Sequence, residues 1–448
     1  MPQPRYERPT IVRHQAGMMN KFARVQSMRP LTDIEGVPVR DLVAKYGSPL
    51  FVFSERVLVA RTRELRDALA LRLPRSRLAW SYKTNYLDAV CKVMHREGSF
   101  AEVVSGMELE KALHNGVPGE QILFNGPYKP DAALERAFSV GARVHLDSFD
   151  ELLRAERVAA RLDLRPKVAI RLNMAVTGTP AWSRFGFNLE SGQALDAVRR
   201  LRAGDRLVLS GLHCHIGTFV QDVEAYRQEA TKMAELANLL AREHGLFLDY
   251  LDLGGGFASR NTLHAQYLPG DQTTPSFGAY AEAIADGLGA LQYPADRTPT
   301  IFLETGRALV DEAGSLVASV HANKRLPDGR RGVVLDAGVN VLFTANWYRH
   351  DVVPAQELPG TPEPTVMYGP LCMNIDVVRD NLLFPPMNPG DLLVFKNVGA
   401  YNVTQWMQFI VERPAVVLVS RQGQVGVMRR RETVETLLAQ EEVPAWLS

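Results

Sequence analysis

Between Leu78 and Leu303 the chain repeats one pattern eight times: a short β-rich run ending in polar or glycine residues, then a longer amphipathic run. No other feature narrows the fold so far. The short runs are LAWSY from Leu78, FAEVV from Phe100, QILF from Gln121, RVHL from Arg143, KVAIRL from Lys167, LVLSGLHC from Leu207, LDYLDL from Leu248 and TIFL from Thr300. Between them lie segments such as DVEAYRQEATKMAELANLLAREHG, whose helical apolar spacing and terminal Gly245 predict a helix. Eight strand–helix units fit an α/β fold that closes as a (β/α)8 TIM-like barrel, whose catalytic groups stand at the C-terminal ends of the strands. A doubly wound sheet competes with it, and the count of eight favours the barrel.

From about Arg307 the texture changes. SLVASVHA, RGVVLDAG, DLLVFKNVGAYNV and PAVVLVSRQGQVGVMR are β-rich and separated by Pro/Gly turns, predicting a second, all-β domain (a β-barrel or sandwich). The strand in SPLFVFSE (Ser48 to Glu55) is assigned to it, so the expected division is a barrel of 56–306 inside a discontinuous β-domain of 31–55 and 307–448. Residues 1–30 read as a flexible leader without the apolar centre of a signal peptide. A chain of 448 residues exceeds one ordinary core. Its net charge of +1 recommends neither nucleic acid nor an anionic membrane as partner, and no apolar run approaches the length of a membrane span. Cys91, Cys214 and Cys372 are far apart with no CxxC spacing, which argues for the cytoplasm and against disulfides or structural zinc.

The strand tips carry Lys83, Ser105, Asn125, Asp147, Arg171 with Asn173, His215, Gly254 to Gly256, and Glu304. Turn residues alone would be Gly, Asp, Asn and Ser; this set adds an amine, an imidazole and a carboxylate. The glycines of DLGGGF can turn successive N–H groups toward an anion, and a tight strand-to-helix turn explains them equally well. His213 and His215 share one face of a strand, yet zinc needs further ligands and no partner segment is evident, so no metal is expected. A stacking or hydrogen-bonding histidine suits the pattern, with a packed one as the ordinary alternative. Glu304 and Arg307, three apart in ETGR, form a surface ion pair by default. Beside a bound phosphate cofactor, Arg307 would hold phosphate and Glu304 a proton on a pyridine nitrogen. Together these groups are what pyridoxal 5'-phosphate asks of a protein. A lysine condenses with its aldehyde, and a carboxylate keeps its ring protonated to accept electrons from Cα.

On these residues the chain resembles the fold-type III pyridoxal-phosphate decarboxylases, alanine-racemase-like barrels that include diaminopimelate and ornithine decarboxylases. The landmarks run in the family's order from about Thr32 to Arg431: SYKTN, SRFGF, HCHIGT, DLGGGF, ETGR, LDAGVN, GPLCMNID and GAY. The resemblance implies that Lys83 binds the cofactor covalently and that His215 stacks on its ring. It places Gly255, Gly256, Gly306, Arg307, Tyr401 and Thr218 around the phosphate and Arg171 near the ring. Glu304 faces the pyridine nitrogen, where racemase relatives carry an arginine. It also sends Cys372 into the partner subunit's site to protonate Cα, which implies a homodimer with shared sites.

The departures concern the substrate. The resembled enzymes follow this cysteine with an acid that receives a distal ammonium; here the residue is Met373, and an unpaired cation there would cost several kcal/mol. An arginine expected after LDAGVN is replaced by Thr344. The expected substrate is therefore a modified or acylated diamino acid of a siderophore- or antibiotic-like pathway, in a pocket lined by Trp182 and Trp347. Asp336 or Asp376 would take the charge of a basic amino acid. Diaminopimelate decarboxylation in lysine synthesis and ornithine or lysine decarboxylation are the alternatives. Glu304 opposes a racemase, and the second domain opposes a barrel that merely binds the cofactor.

Overall fold

The computed structural model describes residues 28–179 and 182–447, so nearly all of the expected leader lies outside the described residues. Eight parallel strands form a closed barrel: Ser76–Ser81, Phe100–Val103, Ile122–Phe124, Arg143–Leu146, Lys167–Asn173, Val208–Cys214, Tyr250–Asp252 and Thr300–Leu303. Closure is completed where Thr300–Leu303 pairs with Ser76–Ser81. A doubly wound sheet has no such pairing, so the barrel is the fold. Ser105, Ser148 and Asp222 cap the helices that follow three of these strands, each side chain accepting from a backbone N–H of the first turn. Such caps contribute about 1 kcal/mol each.

Strand alternation decides what fills the barrel. Ala79, Leu123, Ala169, Tyr250 and Phe302 form one apolar layer inside it. Two positions further along the same strands stand Ser81, Asn125, Arg171, Asp252 and Glu304. The interior therefore changes from an apolar plug to a polar chamber within a single step of the pleat. Gly211 belongs to the lower level: a Cβ there would meet the Tyr250 ring at 2.5 Å, so this strand must lack a side chain for Tyr250 to fit.

Most of the remaining strands build a second large sheet around Gly314–Arg325, which pairs antiparallel with Arg331–Leu335, Leu392–Lys396 and Leu50–Ser54. Leu50–Ser54 also pairs in parallel with Ala415–Val419. It is buried on both faces, Phe51 and Phe53 facing the main core and Leu50 and Val52 a second core with Val317, Val394 and Val417. Two-sided burial explains a run without polar alternation. The loop at 399–404 returns to the barrel mouth, where Tyr401 N donates to Thr84 O (2.9 Å) and the Thr404 hydroxyl to Lys83 O (2.9 Å). Tyr401 takes a left-handed conformation, φ 60°, to make this turn. Among the described residues no helix is long and apolar enough to cross a membrane.

Candidate active site

Lys83 sits in a single 3-10 turn, Tyr82–Thr84, directly after the first barrel strand. Its ammonium donates to both carboxylate oxygens of Glu102, at 2.9 and 2.7 Å. Glu102 lies on the neighbouring strand in register with Ser81, whose hydroxyl donates to it at 2.5 Å. Glu102 is wholly buried, whereas the Lys83 side chain is 38% exposed, so the amine stands at the floor of an open chamber. Burial opposes the lysine's charge, but Glu102, with Tyr401 and Glu304, outweighs it and holds the amine above its ordinary range. For Glu102 burial wins, pushing the carboxyl up against the pull of Lys83.

Across the chamber the glycine turn is built for close approach. Gly254 has φ 58°, and a Cβ there would stand 2.8 Å from His215 Nδ1. A Cβ on Gly255 would overlap the Glu304 carbonyl, and one on Gly306 the Thr84 side chain. Gly255 N donates to His215 Nδ1 (3.1 Å), which fixes the ring and leaves its proton on Nε2. Burial, then Arg171, Lys83 and His213, pushes His215 well below its usual range and keeps it neutral. The Trp182 edge meets this ring at 5.2 Å.

Beside the turn, Arg307 is buried and donates to the hydroxyls of Tyr348 and Thr218, the latter at 3.3 Å. Its guanidinium lies 4.7 Å over the Tyr401 ring and 5.7 Å over that of Trp347. No carboxylate among the described residues forms an ion pair with it. A buried cation with hydroxyl partners and no ion pair among the described residues can receive an anion. With a reachable amine at the chamber floor, these residues fit pyridoxal phosphate.

Under the chamber, Glu304 accepts from the Asn125 amide, and His213 Nε2 lies 3.4 Å from its other oxygen. The sequence offered no partners for His213. The structure supplies them: ligand atoms of His145, His213, Asp252 and Glu304 all lie within 4.8 Å of one another. Hydrogen bonds occupy some of these atoms, while both His213 ring nitrogens and Asp252 Oδ2 are buried without a hydrogen-bond partner among the described residues. His145 uses one nitrogen on Asn125 Oδ1 (2.7 Å) and the other on the Tyr250 hydroxyl (3.0 Å), while Asp252 accepts from Gly254 N (3.0 Å). Arg171 stands at the rim, 4.5 Å over Phe185 and 3.9 Å from Asp147. Asn173 holds the SRFGF turn through the carbonyls of Phe185 and Gly186.

The substrate candidates are placed elsewhere. Cys372 is exposed and Met373 half-buried in the loop of 369–376, and no hydrogen bond or ion pair among the described residues joins them to Lys83, Glu304 or Arg307. Asp376 is committed to that loop, accepting from Val339 N and Leu371 N at 2.8 Å each. Thr344 is equally committed: it is 1% exposed, and its hydroxyl meets His350 (2.9 Å) and Asn402 (3.0 Å). Both geometries turn these residues from substrate contact to scaffold. Asp336 accepts from Ser319 N (2.8 Å) and lines a separate cavity of about 410 Å³ with Asn340, Glu412 and Arg431. Sequence reasoning passed over Glu102, His145, Asp252 and Tyr348. For the first three the signal was there, since each alternates onto the inner face of a recognised strand.

Such a chamber belongs to a pyridoxal-phosphate enzyme built on a (β/α)8 barrel. Residues 56–311 match the family described as "Pyridoxal-dependent decarboxylase, pyridoxal binding domain", and the chain is a member of that family. It is 30% identical to the diaminopimelate decarboxylase of Methanocaldococcus jannaschii over 92% of this chain and 95% of that one. To the diaminopimelate decarboxylase of Actinosynnema pretiosum subsp. auranticum it is 32% identical, over 91% of each chain. The crystal structure of the M. jannaschii diaminopimelate decarboxylase superposes with TM-score 0.84 at 27% identity, covering 94% of this chain and 99% of that one. A lysine/ornithine decarboxylase of Vibrio vulnificus shares the fold at TM-score 0.73 and 24% identity, covering 85% and 96%.

Proposed function

We propose that this pyridoxal-phosphate decarboxylase removes the α-carboxylate of a diamino acid whose distal nitrogen is acylated or otherwise modified. It would work as a cytoplasmic homodimer on the product of an amide-forming or similar conjugating reaction. The observation that carries the substrate reading is Met373, a thioether next to Cys372, where a free distal ammonium would need an acid. The burial of Thr344 against His350 and Asn402 supports it, because no group at that position is left to grip a distal carboxylate. Diaminopimelate itself is the second reading, favoured by relatives of that name at 30% and 32% identity.

When bound, pyridoxal phosphate supplies the electron sink for the pair left on Cα as carbon dioxide departs. The chain's own groups do the rest. Arg307, Thr218 and the glycine turn would hold the phosphate, and His215, neutral and fixed by Gly255, would pack against the ring and help exclude water. Glu304 holds the proton at the ring nitrogen. Glu102 takes the charge of Lys83 while that amine is free. Cys372 of one subunit reaches the chamber of the other and delivers the proton to Cα.

Met373→Glu tests the substrate reading. Restoring an acid beside Cys372 is expected to raise kcat/KM for meso-diaminopimelate by at least tenfold and to lower it for acylated diamino acids. Unchanged values for both would remove Met373 from specificity.

A further inference from the structure

The interior of a (β/α)8 barrel is ordinarily filled by branched apolar side chains. Here a column of polar groups runs down from Glu304. The Asn125 amide donates to Glu304 Oε1, Asn125 Oδ1 faces His145 Nδ1 at 2.7 Å, and His145 Nε2 faces the Tyr250 hydroxyl at 3.0 Å. Asn125 is 2% exposed and His145 and Tyr250 1%, so each partner is obligatory for the next.

The column has a direction. An ionised carboxylate only accepts, so Asn125 must turn its NH2 to Glu304 and its oxygen to His145. His145 must then carry its proton on Nδ1, which leaves Nε2 as an acceptor for the Tyr250 O–H. Every hydrogen in the column points toward Glu304. We infer that Tyr250, His145 and Asn125 form a one-way hydrogen-bond relay that holds Glu304 oriented as an acceptor toward the cofactor ring, and that His145 is a positioning residue for the reaction. The inference rests on the proposed place of Glu304 opposite the ring nitrogen.

The surroundings agree. Burial, reinforced by His213, keeps the His145 ring neutral, as a single tautomer requires. Burial also pushes the Tyr250 phenol up, so it keeps the proton it must donate. Burial and the neighbouring Glu304 push the Asp252 carboxyl well up, beside the foot of the relay. The other charged and titratable groups facing the relay and its chamber are His213, His215, Glu102, Lys83, Lys129, Arg171, Arg307 and Tyr401, with Arg143 and Asp249 beside Tyr250. Gly211 leaves the space in which the Tyr250 ring lies under His145.

The test uses holoenzyme loaded with cofactor labelled with 15N in the ring, and reads the ring-nitrogen chemical shift alongside kcat and KM. In the wild type the nitrogen is expected to be protonated. His145→Leu should move the shift toward the unprotonated value and lower kcat at least tenfold, with KM changed less than threefold. Tyr250→Phe, which keeps the packing and removes one hydroxyl, should move it the same way by less. His145→Gln, which restores a donor to Asn125, should recover part of the shift. If Glu304→Gln moves the shift while His145→Leu and Tyr250→Phe leave it in place, the relay is refuted and Glu304 keeps its role. If Glu304→Gln itself leaves the shift unchanged, the role of Glu304 falls, and the relay with it.

Discussion

Lys83 Nζ lies 2.7 Å from Glu102 Oε2 at the floor of the barrel chamber, and Glu102 is closed to solvent while Lys83 is not. On the proposed assignment of Lys83 to the cofactor, this pair sets the resting state of the amine. An ammonium cannot attack an aldehyde; it must lose its proton first, and the nearest acceptor is the carboxylate that holds it.

Lys83→Ala removes the only amine at this strand tip. The purified variant, incubated with pyridoxal phosphate and then desalted, should show no visible absorbance from covalently held cofactor and no turnover. Retention of that absorbance on a lysine would transfer the role to another residue.

Glu102→Gln keeps the shape of the pair and removes its charge. Glu102 is the largest influence raising the Lys83 amine, opposed by burial, so without it the amine should release its proton at lower pH. The pH midpoint for covalent uptake of cofactor should fall by at least about one unit, a change worth roughly 1.4 kcal/mol. A midpoint at or above that of the wild type would mean that Glu102 does not control the amine.

Arg307→Ala strips a buried cation from the proposed phosphate position. Loss of charge-assisted hydrogen bonds of about 1.5–3 kcal/mol should weaken pyridoxal phosphate binding some tenfold to hundredfold. Binding of pyridoxal, which lacks the phosphate, should hardly change in a fluorescence titration. Equal losses for both ligands would show general damage in place of phosphate recognition.

Cys372 is exposed in the single chain, and its proposed role at Cα calls on a second subunit. Lys83→Ala and Cys372→Ala chains, each nearly inactive alone, should regain part of the activity when mixed and allowed to exchange. No recovery after exchange has been demonstrated by mass spectrometry would rule out a shared site.

Glu108 gives a prediction for stability. Its carboxyl, 5% exposed, is pushed up by burial to about 7 from an ordinary value near 4.5. The folded state therefore holds a proton that the unfolded chain releases between these values. This contribution is complete below pH 4.5 and is lost as pH rises through 7, amounting to about 3 kcal/mol. Glu108→Gln should flatten the fall in urea midpoint from pH 5 to pH 8 relative to the wild type. Parallel pH curves for the two proteins would contradict the assignment.

The barrel was legible because its strands are bounded apolar runs and the count of eight closes on itself. The chamber was less so. Glu102 in FAEVV and His145 in RVHL look like charged or polar interruptions until barrel closure fixes which face is inside, and only then do they line up with Asn125 and Glu304. Thr344 stood out as a replaced residue, but its burial depends on Asn402, brought to it by the return of a distant loop. Tyr348 carried no signal, since its hydroxyl meets Arg307 only through the packing of the second sheet against the barrel. Met373 was visible as chemistry, while the fold of a single chain leaves it in the loop of 369–376, where no hydrogen bond among the described residues joins it to Lys83, Glu304 or Arg307.

The most direct test is carbon dioxide release by cofactor-loaded protein from a panel of meso-diaminopimelate, lysine, ornithine, arginine and diamino acids acylated or citrate-linked on the distal nitrogen. The account predicts release from the modified substrates, with kcat/KM at least tenfold above that for any free diamino acid. A higher kcat/KM for meso-diaminopimelate would contradict the reading of Met373 and Thr344.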